Sequence, residues 1–386
     1  MPALIHGALI DASYDSRRTL KSLTPLIPPM VIYQGRSLIN FSSNDYLNLS
    51  RHPLVQEKSI EFIQKYGAGS PSSRLVSGNI DCYEKLERKL AQLTGFEAAL
   101  IFPSGFQLNS TVLPTFLNAS SRVVADSAIH RSIIEGLRLS KCRLTRFAHL
   151  DEDDLKQRLA DPTNKSDSNW VIAESVYSVD GSLQDLNSLT AIASAQGSKI
   201  YLDEAHAIGL FGAQGMGFAA GRKDIDIVMG CFSKAIGSMG GYVLCSNLDK
   251  QYLVNYCPGL IYSTALPPAV LGAIDAALNL IPLLEEERSY LQSQSKWFRE
   301  KLTAMGFDIG ASMSNIVSIF LKSEREALTL SAFLAQSGFL AVALRPPTTG
   351  KDTSAVRFSI TSAHRQEDLE KLLAALLKYK RVSHVY

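Results

Sequence analysis

Short apolar runs recur along the middle of the chain, at 98–102, 122–125, 170–173, 199–202, 225–230 and 241–245. Segments with helical spacing separate most of them, among them 129–139, 151–160 and 186–196. Runs so short and so uniformly apolar predict strands buried on both faces, and their alternation with helices predicts a mainly parallel sheet covered on both sides. Ahead of this region, two β-like runs at 30–33 and 37–41 flank a turn at 34–36, and helices are predicted at 54–66 and 83–94. From about residue 280 the rhythm changes. A long polar helix at 285–305 leads to strands near 315–321, 338–344 and 355–360, then a last helix at 366–379. The pattern predicts an amino-terminal amphipathic arm (1–40), a large α/β domain (41–279) and a smaller α+β domain (280–386).

Composition narrows the class. The 386 residues are 46% hydrophobic and 20% charged, the balance of a globular protein. The net charge of 39 − 37 = +2 gives no reason to expect nucleic acid or an anionic membrane as a partner. Five widely spaced cysteines without a C-x-x-C pair argue against a disulfide framework or a structural zinc site. The apolar stretches 268–284 and 328–344 carry polar interruptions and fall short of the roughly 18–20 clean residues a membrane span needs. The first residues show no basic region followed by an apolar one, as a signal peptide would. These features lead us to expect a soluble, cytoplasmic protein.

Four stretches could carry chemistry. In Lys199-Ile-Tyr-Leu-Asp-Glu-Ala-His206 an apolar strand ends on Asp203 and His206, where ligands gather in α/β sheets. Alone, these residues fit equally well a helix-capping Asp203 and a satisfied core His206. Asp-Glu-Ala-His is also the acidic box of helicase-type ATPases. Those need G-x-x-x-x-G-K-[ST]; the only Gly-Lys pair, Gly350-Lys351, precedes Asp352, and Arg345 stands where the first glycine belongs. We exclude that reading. Metal hydrolysis is disfavoured too, since no second His or acid cluster stands at ligand spacing.

The second stretch, 226–241, runs from an apolar strand through Ser233-Lys234 into glycines. An amine at such a crowded turn is partly desolvated, which favours its neutral, nucleophilic form. A lysine that holds an aldehyde cofactor, with an acid facing the cofactor's ring nitrogen, is the pyridoxal phosphate arrangement. The third, Phe102-Pro-Ser-Gly-Phe106, links a strand to a helix and offers backbone N–H groups to a phosphate. The fourth, Asp126-Ser-Ala-Ile-His130, follows another strand; its imidazole is either structural or a flat surface for an aromatic ring.

Taken in order, Asn44-Asp-Tyr-Leu47, Ser77-Gly78, Ser104-Gly105-Phe106, His130, Ser178-x-Asp180-Gly181, Asp203-x-Ala205-His206, Ser233-Lys234, Tyr262-Ser-Thr264 and Arg357 resemble the α-oxoamine synthases, fold-type-I pyridoxal phosphate enzymes. The resemblance implies that fold and a cofactor, pyridoxal 5′-phosphate. It implies that Lys234 forms a Schiff base and moves the substrate Cα proton, that Asp203 faces the ring nitrogen, and that His206 and Ser178 bond the phenolic oxygen. His130 would stack on the ring. Gly105 and Phe106 would hold the phosphate, beside Ser104 and Ser233, with Thr264 reaching in from a neighbouring subunit of a homodimer. Asn44 and Arg357 would take the amino acid's carboxylate, and Arg345 is a candidate for the acyl substrate's entry or far carboxylate. Asn44-Asp-Tyr-Leu, Ser73-Arg-Leu-Val-Ser-Gly78 and Leu344-Arg-Pro-Pro347 look most like the biotin-pathway branch. That branch joins L-alanine to a pimeloyl thioester, carried on CoA or an acyl carrier protein. A glycine-using ligase, a long-chain α-aminoketone synthase and a non-catalytic partner subunit are the alternatives. Two positions depart from the family pattern: Cys231 where Thr is usual, and Asn48 where Gly is.

Overall fold

The computed structural model describes residues 18–161, 166, 168–350 and 353–383, so residues 1–17 of the expected arm lie outside the described residues. The chain divides into two compact units: one holds the residues up to Ser43 with those from Ser293 onward, and the other is Asn44–Gln292.

The first unit opens with β1 (Leu23–Pro25), β2 (Met30–Tyr33) and β3 (Arg36–Asn40), an antiparallel meander. The predicted turn at 34–36 is present as a tight Gln34-Gly35 reversal with φ of 49° and 75°, and glycine accepts the second value without a Cβ penalty.

The second unit is built on β4 (Ala98–Phe102), β5 (Arg122–Asp126), β6 (Arg143–Phe147), β7 (Asn169–Glu174), β8 (Lys199–Asp203), β9 (Ile227–Cys231) and β10 (Gly241–Cys245). They form one sheet in the order β4-β10-β9-β8-β7-β5-β6. All neighbours from β9 to β6 are parallel, and β10 is antiparallel to both β4 and β9. This is the predicted mainly parallel sheet. Every residue of β4, β5, β9 and β10 is buried, as strands covered on both faces require. The exception is β6, the strand of this sheet absent from the sequence reading, as β1 is in the other unit. It is an edge strand whose Arg143, Leu144 and Arg146 are exposed, so it carries no apolar run to find.

Returning to the first unit, β11 (Ile316–Leu321), β12 (Phe339–Leu340), β13 (Val342–Leu344) and β14 (Ser354–Ser359) complete two sheets. The apolar run 338–344, predicted as one strand, is split. β12 adds in parallel to β3, closing the four-stranded sheet begun near residue 23, while β13 pairs antiparallel with β14 in a three-stranded sheet. The break falls at Ala341, whose carbonyl accepts a 2.6 Å hydrogen bond from Ser331 Oγ instead of joining a ladder. Among the described residues no single helix is long and apolar enough to cross a membrane.

Candidate active site

In the Asn44–Gln292 unit the carboxyl ends of four adjacent parallel strands bring chemical side chains to one edge of the sheet. Asp126 ends β5, Glu174 ends β7, Asp203 ends β8 and Cys231 ends β9. Glu174 and Asp203 are directly paired across the sheet, and Asp203 is paired with Met229.

Asp203 is 4% exposed. One carboxylate oxygen accepts the Ala205 N–H at 2.9 Å, and the other accepts Asn109 Nδ2 at 3.1 Å. Asn109 is itself buried in the helix Gly105–Phe116. It also donates to Ser132 Oγ (2.9 Å) and accepts from the buried Tyr201 hydroxyl (2.5 Å). Asp203 is therefore held in place by two donors and is not the cap of a following helix. The next residue serves a separate purpose. Glu204 accepts the N–H groups of Phe218 and Ala219 at 2.8 and 3.2 Å, and burial pushes its carboxyl up to about 7. Of the acidic box, then, Glu204 holds a loop and Asp203 stands at the sheet edge.

His206 is buried, with Nδ1 2.7 Å from the Tyr46 hydroxyl, which in turn lies 3.2 Å from Asn44 Oδ1. Two motifs 160 residues apart thus meet. His130 caps the helix Arg131–Ser140 through Nδ1, which accepts the Ser132 N–H at 3.2 Å and lies 2.7 Å from Ser132 Oγ, and its backbone N–H donates to Glu174. The residue is exposed overall, but its surroundings still push the imidazole pKa down. Desolvation is the main cause; Asp203 works against it, and Lys234 works with it. Glu174 is raised well above the ordinary carboxyl range by burial and by the charge of Asp203, with Lys234 opposing.

Lys234 lies half-buried in the turn after β9, between the buried Phe232 and Ala235. Among the described residues its amine has no hydrogen bond or ion pair, yet its charge is felt at His130, Glu174 and Cys231. Ser233 beside it is exposed.

The Ser104 hydroxyl caps Gly105–Phe116 by accepting the Gln107 N–H at 3.2 Å. The N–H groups of Gly105 and Phe106 have no acceptor among the described residues, so two donors at the start of a twelve-residue helix are available to an anion. Gly105 cannot be replaced cheaply. A Cβ there would lie 2.2 Å from Cys231 Sγ, which places the departure at Cys231 directly against the Gly105 turn. Burial raises the Cys231 thiol pKa. The other departure, Asn48, adopts φ 55°, the left-handed conformation that asparagine tolerates.

The remaining candidates come from other loops and strands. Ser178 is half-buried in the turn after β7. Thr264 is exposed, bridged to Ser73, and lines a small cleft with Arg74, Tyr83 and Pro103. Arg357 lies on β14 and Arg345 follows β13, both in the first unit. Arg345 is 7% exposed and ion-paired with Glu324 through Nη1. Sequence reasoning missed Asn109, Ser132 and Glu174, and gave Tyr46, inside the Asn44-Asp-Tyr-Leu47 motif, no role of its own. The one available signal was a lone amide among the apolar positions of the helix after Gly105. Among the described residues no three His, Cys, Asp or Glu side chains form a metal site.

These residues fit pyridoxal phosphate: a buried, oriented carboxylate, an uncommitted amine, an exposed histidine and two orphaned N–H donors lie around one sheet edge. Comparison with known proteins agrees. Residues 36–376 match the family Aminotransferase class I and II. The 8-amino-7-oxononanoate synthase of Gluconacetobacter diazotrophicus is 40% identical over 372 residues, covering 94% of each chain. A Desulfosudis oleivorans relative, given the same name provisionally, is 44% identical over 96% of this chain and 98% of its own. A solved serine palmitoyltransferase variant from S. paucimobilis, with a bound PLP–myriocin aldimine, superposes with a TM-score of 0.91 at 26% identity, covering 100% of this chain and 98% of that one. A class I and II aminotransferase fold and relatives sharing two residues in five over almost the whole length place the chain in the 8-amino-7-oxononanoate synthase family of pyridoxal phosphate-dependent transferases.

Proposed function

We propose that the enzyme condenses L-alanine with a pimeloyl thioester, on CoA or an acyl carrier protein, releasing carbon dioxide, the free thiol and 8-amino-7-oxononanoate. The observation that carries this reading is the meeting of Lys234, Asp203, His206 and His130 at one sheet edge in a chain whose relatives bear that name. Bound pyridoxal phosphate would supply an electron sink for the charge left when the alanine Cα proton departs.

The protein's own residues do the rest. Lys234 Nζ would hold the cofactor and then take the Cα proton. Asp203, aimed by Asn109 and Ala205, would hold a proton on the ring nitrogen. His206, braced by Tyr46, and Ser178 would bond the phenolic oxygen, and His130 would pack on the ring face. The Gly105 and Phe106 N–H groups, with Ser104, Ser233 and a neighbouring subunit's Thr264, would surround the phosphate. Asn44 and Arg357 would orient the alanine carboxylate, a task suited to a guanidinium. The alanine Cα forms a bond to the thioester carbonyl as the thiol leaves. The resulting β-keto acid loses carbon dioxide, and a proton returns to Cα. A cytoplasmic homodimer is part of the same proposal.

The test is product formation by mass spectrometry, with L-alanine or glycine and pimeloyl-CoA, alongside the visible spectrum of the loaded enzyme. A spectrum that responds to L-alanine before glycine, with product formed only when the thioester is present, is expected. Preference for glycine, or indifference to the thioester, would overturn the substrate assignment. Lys234→Ala should fold and show no turnover; steady-state activity in that variant would overturn the mechanism.

A further inference from the structure

Behind the candidate site, His149 lies in the loop between β6 and the helix Glu152–Ala160, and none of the roles above uses it. Its two ring nitrogens face opposite ways. Nδ1 lies 2.9 and 3.1 Å from the two carboxylate oxygens of Asp126, a side chain that is 0% exposed. Nε2 lies 2.9 Å from Ser182 Oγ and 3.6 Å from Asp180 Oδ2. The Ser182 hydroxyl gives its own proton to Asp180 Oδ1 at 2.8 Å, so toward His149 it can only accept. An ionised carboxylate also only accepts. Both ring nitrogens must therefore carry protons, and the ring is an imidazolium on hydrogen-bond logic alone.

The two sides of this contact belong to two different site loops. Asp126 closes the corner after β5 by also accepting the N–H groups of Ala128 (2.7 Å) and Leu150 (3.0 Å), and that corner leads to His130. Asp180 and Ser182 close the turn after β7, where Gly181 N–H donates to Tyr177 O and Tyr177 N–H to Ser182 O, each at 3.0 Å. Ser178 lies inside that turn. The Tyr177 ring meets His149 edge-on, with ring centroids 4.4 Å apart.

We propose that His149 is a positioning residue of the cofactor site, a doubly protonated ring that ties the Asp126–His130 corner to the Tyr177–Ser182 turn and so fixes His130 and Ser178 against each other. The proposal rests on the functional reading above, which gives His130 the ring face and Ser178 the phenolic oxygen. The groups facing the imidazole are Asp126 from the β5 corner and Asp180, Ser182 and Tyr177 from the β7 turn. Burial disfavours its charge, but Asp126 and then Asp180 outweigh that and hold its proton up to about pH 9. The tie is therefore made throughout the neutral range.

The experiment uses the full chain and pyridoxal phosphate itself. His149→Gln removes the charge and one of the two opposed donors; Ser182→Ala removes the hydrogen bond on the β7 side, leaving only Asp180 Oδ2 at 3.6 Å there. Native circular dichroism of each apoprotein establishes folding, and absorbance titration gives the Kd for pyridoxal phosphate. The pH midpoint of the bound cofactor's visible band reports the groups around its phenolic oxygen. We expect His149→Gln to weaken cofactor binding about tenfold, the scale seen when a partner that orients a ligand-holding group is removed. The band's pH midpoint should shift with it. Ser182→Ala should move both readouts in the same direction, and the double variant should do less than the two added together. Wild-type Kd and midpoint in a folded His149→Gln would overturn the proposal, as would strictly additive effects. If His149→Gln does not fold, Ser182→Ala decides, and unchanged values there overturn it. Wild-type protein that takes up no pyridoxal phosphate would instead remove the functional reading on which the proposal stands.

Discussion

Asn109→Ala tests whether the polar network under Asp203 does more than fill space. Asn109 is 1% exposed and makes three hydrogen bonds, to Asp203, Ser132 and Tyr201. The substitution strands the Tyr201 hydroxyl, fully buried on β8, at a cost of about 1–3 kcal/mol. It also takes from Asp203 one of its two donors, and a hydrogen bond to a charged acceptor contributes about 1.5–3 kcal/mol. Because neighbouring effects do not add fully, the expected loss of apoprotein stability is about 3–4 kcal/mol. Urea unfolding followed by circular dichroism measures it. The same change frees the Asp203 carboxylate to turn away from the ring nitrogen, so the Kd for pyridoxal phosphate should rise about tenfold, read by absorbance titration. Asn109→Asp separates the two effects. It keeps an acceptor for Tyr201 but sets a carboxylate against a carboxylate, so its cofactor affinity should be poor at pH 8 and recover as the pH falls and one of the pair is protonated. Wild-type stability together with wild-type affinity in Asn109→Ala would refute the reasoning. Lost stability with full affinity would reduce Asn109 to packing.

Cys231→Thr replaces a weak thiol donor against the Gly105 turn with a hydroxyl, and should tighten cofactor binding by about 1 kcal/mol, or roughly fivefold in Kd; an unchanged or weaker constant would count against it. Gly105→Ala drives a Cβ into Cys231 Sγ, and should destabilise the apoprotein and abolish saturable cofactor uptake; pairing it with Cys231→Ala should recover part of the stability in thermal unfolding. His364 is stacked on Phe41 at 4.1 Å, and burial pushes its pKa down to about 4. The unfolded chain then binds a proton between about pH 6.5 and 4 that the folded one refuses, so stability should fall on acidification across that window by up to about 3 kcal/mol, and the slope should flatten in His364→Gln.

How far the sequence could be read depended on the kind of interaction that made each element. The central strands were legible because burial on both faces leaves a continuous apolar run, and the reading of 98–102 and 241–245 coincides with β4 and β10. An edge strand has only one face to bury, so β6, with Arg143, Leu144 and Arg146 exposed, resembled a loop. The run 338–344 was legible as extended chain but not as two strands. Nothing within seven residues says that the first part will find β3, some 300 positions away, while the second finds β14. Register and partner are properties of the folded sheet, not of the run.

The site divides along the same line. Lys234, Asp203, His206, His130 and the Gly105 turn stand where apolar strands end, and strand ends are visible in a sequence as abrupt changes from apolar to polar. The residues that aim them are not at such boundaries. Asn109 lies one turn inside a helix, Tyr46 reaches His206 across 160 positions, and His149 follows β6, an edge strand the pattern did not show. A reacting group must be exposed to its ligand and so breaks the apolar pattern, whereas a supporting group is buried and satisfied, and so blends into it. For this fold, substitutions chosen from sequence alone will fall mainly on groups that touch the ligand. Those that separate aiming from contact, at Asn109 and His149, can be chosen only from the hydrogen bonds.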